Sequence, residues 1–219
     1  MDINFIKEHI PLYVDAAKLT MYMALIGILC SILIGLVCGI IRYFKVPVLR
    51  QAAGAYIELS RNTPLLIQLF FLYFGLPKLG IVLSSKQCAI IGLSFLGGSY
   101  MAEVFRSGLA NVPDIQIESS LSLGMKKMQV FWYIILPQAV TNSVPAFCAN
   151  IIFLIKETSV FSVVALADLM FVTKDLIGIY YMTDEALFML VTAYLILLLP
   201  VSIICSVIER RIRYAEYGN

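Results

Sequence analysis

Long apolar runs alternate with short polar breaks along this chain. Residues 19–41 carry no charged side chain, and a helix of that length crosses the roughly 30 Å of hydrocarbon in a bilayer. Residues 52–76, 88–108, 139–157 and 186–208 repeat the theme. The last of these is charge-free, with a potential kink at Pro200. The middle three are interrupted by polar and charged residues. The pattern predicts an all-α membrane protein with five transmembrane helices. Residues 1–18 mix acids and lysines with Ile3, Phe5, Ile6 and Ile10, which reads as an extracytoplasmic or interfacial amphipathic segment broken or started at Pro11. The transmembrane domain then occupies 19–209, and 210–219 forms a tail.

Charge orients the spans. Arg42, Lys45 and Arg50 follow the first run, Lys126 and Lys127 lie between the third and fourth, and Arg210, Arg211 and Arg213 follow the fifth. Basic loops stay in the cytoplasm, so the N-terminus is expected outside and the C-terminus inside. Composition agrees: 61% of residues are hydrophobic and 14% charged, where soluble domains carry about 25%. A net charge of +2 gives no reason to expect nucleic acid as a partner. The five cysteines lie in or beside apolar runs without a CxxC pair, and His9 is the one histidine, so neither a disulfide framework nor a metal site is expected. The N-terminus lacks a basic end and cleavage site, so insertion is expected to use the first span itself.

The longest polar, basic break lies between spans three and four. Asn111 suits a helix N-cap, Pro113 and Asp114 suit a first turn, and Gly124 suits a stop, so a short cytoplasmic helix is predicted at 113–123. Ser119, Ser120 and Ser122 keep it thin, which favours close approach of another surface.

Two further patterns carry chemistry. Gly27, Ser31, Gly35 and Gly39 recur every four residues along span one, either as a close helix contact or as ordinary small residues in a span. Glu58 and Arg61 are three apart on span two, and Glu103 and Arg106 repeat the spacing on span three. Intramembrane charge is expensive unless paired or facing water. These residues therefore read either as two self-contained ion pairs or as a polar substrate site. In the second reading Arg61 takes a carboxylate through a two-pronged hydrogen bond, Glu58 and Glu103 take an ammonium, and Thr63, Ser99 and Tyr100 add neutral hydrogen bonds. Pro64 would loosen the helix there and free backbone groups. Spans one and five, being clean, can face lipid.

The residues from Glu118 to Pro137 also resemble a known motif. Glu118, Ser119 and Ser120, then Gly124, Ile134, Leu136 and Pro137, match the spacing of the Glu-Ala-Ala cytoplasmic loop of ABC importer permeases, with serines where alanines are usual. Residues 56–77 (YIELSRNTPLLIQLFFLYFGLP), 99–108 (SYMAEVFRSG) and 156–160 (KETSV) are similar to the permeases of polar amino-acid importers. The resemblance implies a type I importer fold in the bacterial inner membrane, with a second permease subunit (the same chain or a paralogue) and two ATP-binding cassette subunits. It also implies an extracytoplasmic binding protein that delivers a small polar amino acid. The 113–123 helix would dock in the ATPase subunit, with Asp114, Glu118, Ser119, Ser120, Gly124 and Lys126 as coupling residues. Positions Glu58, Arg61, Glu103 and Asn150 would line the site. Relatives that carry cationic amino acids often have Glu at position 150, so Asn150 points to a neutral polar substrate.

The chain lacks GxxxxGK[ST]. It is therefore expected to be a non-catalytic subunit without a cofactor of its own, with ATP and Mg on partner subunits. The alternative is an ion-gradient-driven secondary transporter or channel for a small polar solute. Absence of an internal repeat argues against it.

Overall fold

The computed structural model describes the backbone of residues 1–217 and the side chains of residues 1–212. Nine α-helices are present among them: α1 Ile3–Tyr43, α2 Leu49–Arg61, α3 Leu65–Phe70, α4 Ser85–Ala110, α5 Asp114–Ser122, α6 Lys127–Val130, α7 Leu136–Glu157, α8 Leu169–Tyr180 and α9 Thr183–Tyr217. Of the tail expected at 210–219, residues through Tyr217 continue α9. The Arg213 side chain and the last two residues lie outside the described set.

Among the described residues, four helical stretches are long and apolar enough to cross a membrane: Ile3–Tyr43, Ser85–Ala110, Lys127–Val164 and Thr183–Ile212. The second expected span is instead divided. α2 stops at Arg61, Pro64 precedes α3, and the apolar stretch Leu65–Leu79 passes through a π turn and a 3₁₀ turn. Pro64 has no N–H to continue α2, so carbonyls at its end lose their partners. Gln68 replaces them: its Nε2 donates to Ser60 O at 3.2 Å and to Thr63 O at 3.0 Å.

The segment expected as a separate piece at 1–18 is the first half of α1. Asp2 caps it by accepting from the Asn4 and Phe5 N–H groups, and the helix runs through Pro11 without ending. Phe5, Tyr13 and Ala16 are buried against Leu169, Val172, Leu176, Ala186 and Met189 of α8 and α9. Tertiary packing thus holds what its sequence offered as a surface helix. The loop expected between spans four and five contains α8, capped by Asp168, whose Oδ1 accepts from Phe171 N–H at 2.9 Å.

α4 is the central element, with 67% of its most apolar window buried, whereas the equivalent window of α9 is 6% buried. The small-residue stripe of α1 decides the packing. A Cβ on Gly27 would sit 2.6 Å from Leu93 Cδ2, and one on Gly35 would sit 2.8 Å from the backbone nitrogen of Ala102. Only bare backbone permits α1 to lie this close along α4. α1 therefore buries one full face and leaves the other, including Leu25, Leu29, Leu33 and Val37, exposed. The expectation that span one can face lipid fits that second face.

Candidate functional site

α2 is pinned to α4 by three hydrogen bonds. Tyr56 Oη donates to Phe95 O at 2.7 Å, Ser60 Oγ donates to the same carbonyl at 2.9 Å, and Ser60 Oγ lies 3.0 Å from Ser99 Oγ. A carbonyl inside a helix can accept a second hydrogen bond on its free lone pair, so α4 serves as the anchor. This clamp holds the opposite edge of α2 away from α4, and a cavity of about 430 Å³ opens there, lined by Arg42, Glu58, Arg61, Asn62, Tyr100 and Glu103, with Gly54 and Ile57 behind them.

Four of the seven expected substrate residues thus meet in one cavity: Glu58, Arg61, Tyr100 and Glu103. Ser99 is fully buried and serves the α2–α4 clamp, donating to Leu96 O at 2.6 Å. Thr63 donates to Leu59 O at 2.8 Å and borders a separate apolar groove with Ile67, Gln68 and Phe71. Asn150 lies half-buried on α7, outside the lining of the cavity.

The two expected i,i+3 ion pairs differ. Arg106 Nε meets Glu103 Oε2 at 2.7 Å, and Arg42 Nη1 meets Glu103 Oε1 at 2.6 Å, so one carboxylate carries two guanidinium groups from α1 and α4. Glu58 and Arg61 do not pair with each other, and neither forms an ion pair among the described residues. Arg61 instead lies over the Tyr100 ring, 5.2 Å from its centroid, which holds a cation while leaving its hydrogen-bond donors free. Arg42 and Asn62 were missed in the sequence. For Arg42 a signal was there: it follows Gly35 and Gly39 at helical spacing and so continues the stripe that lies on α4.

The short helix after α4 forms as α5, but Asn111 does not cap it. Asn111 N–H still bonds Ser107 O and closes α4, and Pro113 occupies the N-cap position with no side-chain acceptor. Gly124 ends the turn at φ +86, in the left-handed region where a side chain is strained. Asp114, Glu118, Ser119, Gly124 and Lys126 are exposed, whereas Ser120 is buried and donates to Gln116 O at 2.7 Å. So Ser120 faces its own subunit rather than outward. Ile115 and Leu123 are 67% and 84% exposed beside these polar groups, a surface that suits a protein partner better than water. A 2.6 Å hydrogen bond from Gln138 to Gln116 fixes α5 to α7.

A membrane bundle with an open polar cavity at a broken helix, and an exposed short helix at one end, has the parts of a transport component. Comparison with known proteins makes this specific. The pattern of the family described as "Binding-protein-dependent transport system inner membrane component" matches residues 31–214, and the chain belongs to that family. It is 41% identical over 162 residues to the Probable amino-acid permease protein YxeN of Bacillus subtilis, covering 73% of this chain and 72% of that one. It is 30% identical to the Glutamine transport system permease protein GlnP of Escherichia coli K12, covering 97% and 98%. A crystal structure of an amino acid ABC transporter with histidines superposes with a TM-score of 0.91 at 28% identity, over 96% of this chain and 99% of the other. An inward-facing MetNI methionine ABC transporter shares the fold at a TM-score of 0.77 and 22% identity, over 97% and 99%. The protein is a multi-pass, non-catalytic permease subunit of the type I ABC importer fold, resident in the bacterial inner membrane. That assignment does not favour the ion-driven alternative.

Proposed function

We propose that this subunit forms the passage for a small polar amino acid with an uncharged side chain. The observation that carries the reading is the side-by-side presence of Glu58 and Arg61, both unpaired among the described residues, in one cavity. Together they complement one zwitterion: Arg61 takes the carboxylate and Glu58 the ammonium. The names of the relatives, which are amino-acid and glutamine permeases, support the same class. The chain crosses the membrane five times, through α1, α2 with α3, α4, α7 and α9, with its N-terminus outside. It works beside a second permease subunit and two ATPase subunits that hold ATP and Mg, and it receives its cargo from an extracytoplasmic binding protein. α5, with Glu118, Ser119 and Gly124, docks on the ATPase and transmits its closure to the bundle.

The test is Arg61→Ala in the complete importer reconstituted in liposomes. The variant assembles and loses substrate-stimulated ATP hydrolysis and uptake by about tenfold or more, as expected for loss of a charged hydrogen bond. Uptake within twofold of the parent would overturn the assignment of the cavity.

A further inference from the structure

We infer that Arg42 is a built-in counter-ion that sets the charge selectivity of the cavity. The inference rests on the substrate reading above and deepens it. Four charged groups line the cavity: Arg42, Glu58, Arg61 and Glu103. Their formal charges cancel, but they are not equivalent. Glu103 spends one carboxylate oxygen on Arg42 at 2.6 Å and the other on Arg106 at 2.7 Å. A carboxylate held by two guanidinium groups presents no net negative charge to an incoming cation. Glu58 and Arg61 remain as one free acid and one free base. That set matches a zwitterion and nothing more. An amino acid with a cationic side chain needs a second free acid, and Glu103 is that acid, already occupied.

The position of Arg42 keeps it there. It belongs to the last turn of α1, which the glycine stripe presses against α4, so its side chain reaches Glu103 without leaving its own helix face. On its other side Arg42 borders a cleft of about 440 Å³ that contains Lys45 and Arg50 and, among the described residues, no acidic one. Like charge on that side and a carboxylate on this one both favour the Glu103 contact. Arg42 acts through the acid it holds, so it is a positioning and specificity residue. It also supplies a reason for neutral selectivity that is independent of Asn150, which lies outside the cavity lining.

The experiment measures uptake of arginine and of glutamine by the complete reconstituted importer and takes their ratio. Arg42→Gln frees one oxygen of Glu103, and the arginine-to-glutamine ratio rises about tenfold, the scale of one charged hydrogen bond. Arg42→Lys keeps the charge and keeps the ratio within threefold of the parent. The double variant R42Q/E103Q removes counter-ion and acid together and returns the ratio to within threefold of the parent. A ratio unchanged in R42Q, or raised equally in R42K, overturns the inference. If R42Q does not assemble, the double variant decides: an arginine share about tenfold below the parent would show that Glu103 had been serving cationic cargo directly. Loss of the substrate cavity itself is distinguishable, because Arg61→Ala then leaves both uptakes unchanged.

Discussion

At the scale of single residues, burial and neighbours decide what each polar group does. Asp168 is fully buried at the start of α8. One oxygen caps the helix, while Oδ2 has no hydrogen-bond partner among the described residues. Burial pushes its carboxyl from the usual 3.8 up to about 7, against the helix-start N–H groups and the more distant Lys174, which lower it. The unfolded chain releases this proton near pH 4 and the folded chain holds it to about pH 7, so the stability it contributes is present at low pH and lost as pH rises through that window. The apparent Tm of the purified protein in detergent is expected to fall by about 5 °C or more between pH 5 and pH 8. Asp168→Asn should flatten that dependence by at least half. An equal slope in the two proteins, measured by thermal unfolding, would place the titration elsewhere. Asp168 stands directly before the apolar run 169–172, a helix-cap signal that the sequence alone offers. Its missing partner was not legible there, because burial at this point depends on α1, whose Thr20 Oγ1 accepts from the Leu169 N–H at 3.3 Å across 149 positions of sequence.

At the scale of elements, helix ends carry the function. Gly124 takes a left-handed conformation that a β-branched residue avoids, with a penalty of about 1–2 kcal/mol. Gly124→Val is expected to extend or tilt the end of α5. In the reconstituted importer, ATP hydrolysis should then proceed with uptake reduced about tenfold, because the docking surface no longer follows the ATPase. Parallel retention of hydrolysis and uptake would remove α5 from the coupling step. The stop at Gly124 was readable, since few residues other than glycine tolerate that conformation. The start was misread: Asn111 offers a capping side chain, but α4 keeps its backbone and hands the cap position to Pro113. The interruption of span two was likewise announced by Pro64, while the role of Gln68 in bridging the break was visible only once α2 and α3 had folded beside each other.

For the whole molecule, the distribution of exposed apolar surface and of basic loops sets its place in the membrane. α9 leaves nearly all of its most apolar window uncovered by the rest of the chain, as suits contact with lipid or a second permease subunit. The proposed orientation has a direct check. A thiol at Lys7→Cys should react with a membrane-impermeant reagent added outside intact cells, and one at Arg50→Cys only after permeabilisation. The reverse pattern would invert the topology. Both positions are exposed in the isolated chain, so accessibility reports the side of the membrane rather than folding.

Membrane class, the polar coupling break and the charged residues that meet between α2 and α4 were fixed by local chemistry: apolar length, charge asymmetry and small-residue spacing act within a few helical turns and can be read in one dimension. Which charges pair, and which stay free for a ligand, was decided only by tertiary structure. Glu58 and Arg61 have the same spacing as Glu103 and Arg106, yet only the second pair closes. The Tyr100 ring draws Arg61 aside, and α1 brings Arg42 to Glu103 across 61 positions of sequence. An ion pair depends on distances of a few ångströms in three dimensions, and those distances were set by glycines on a different helix.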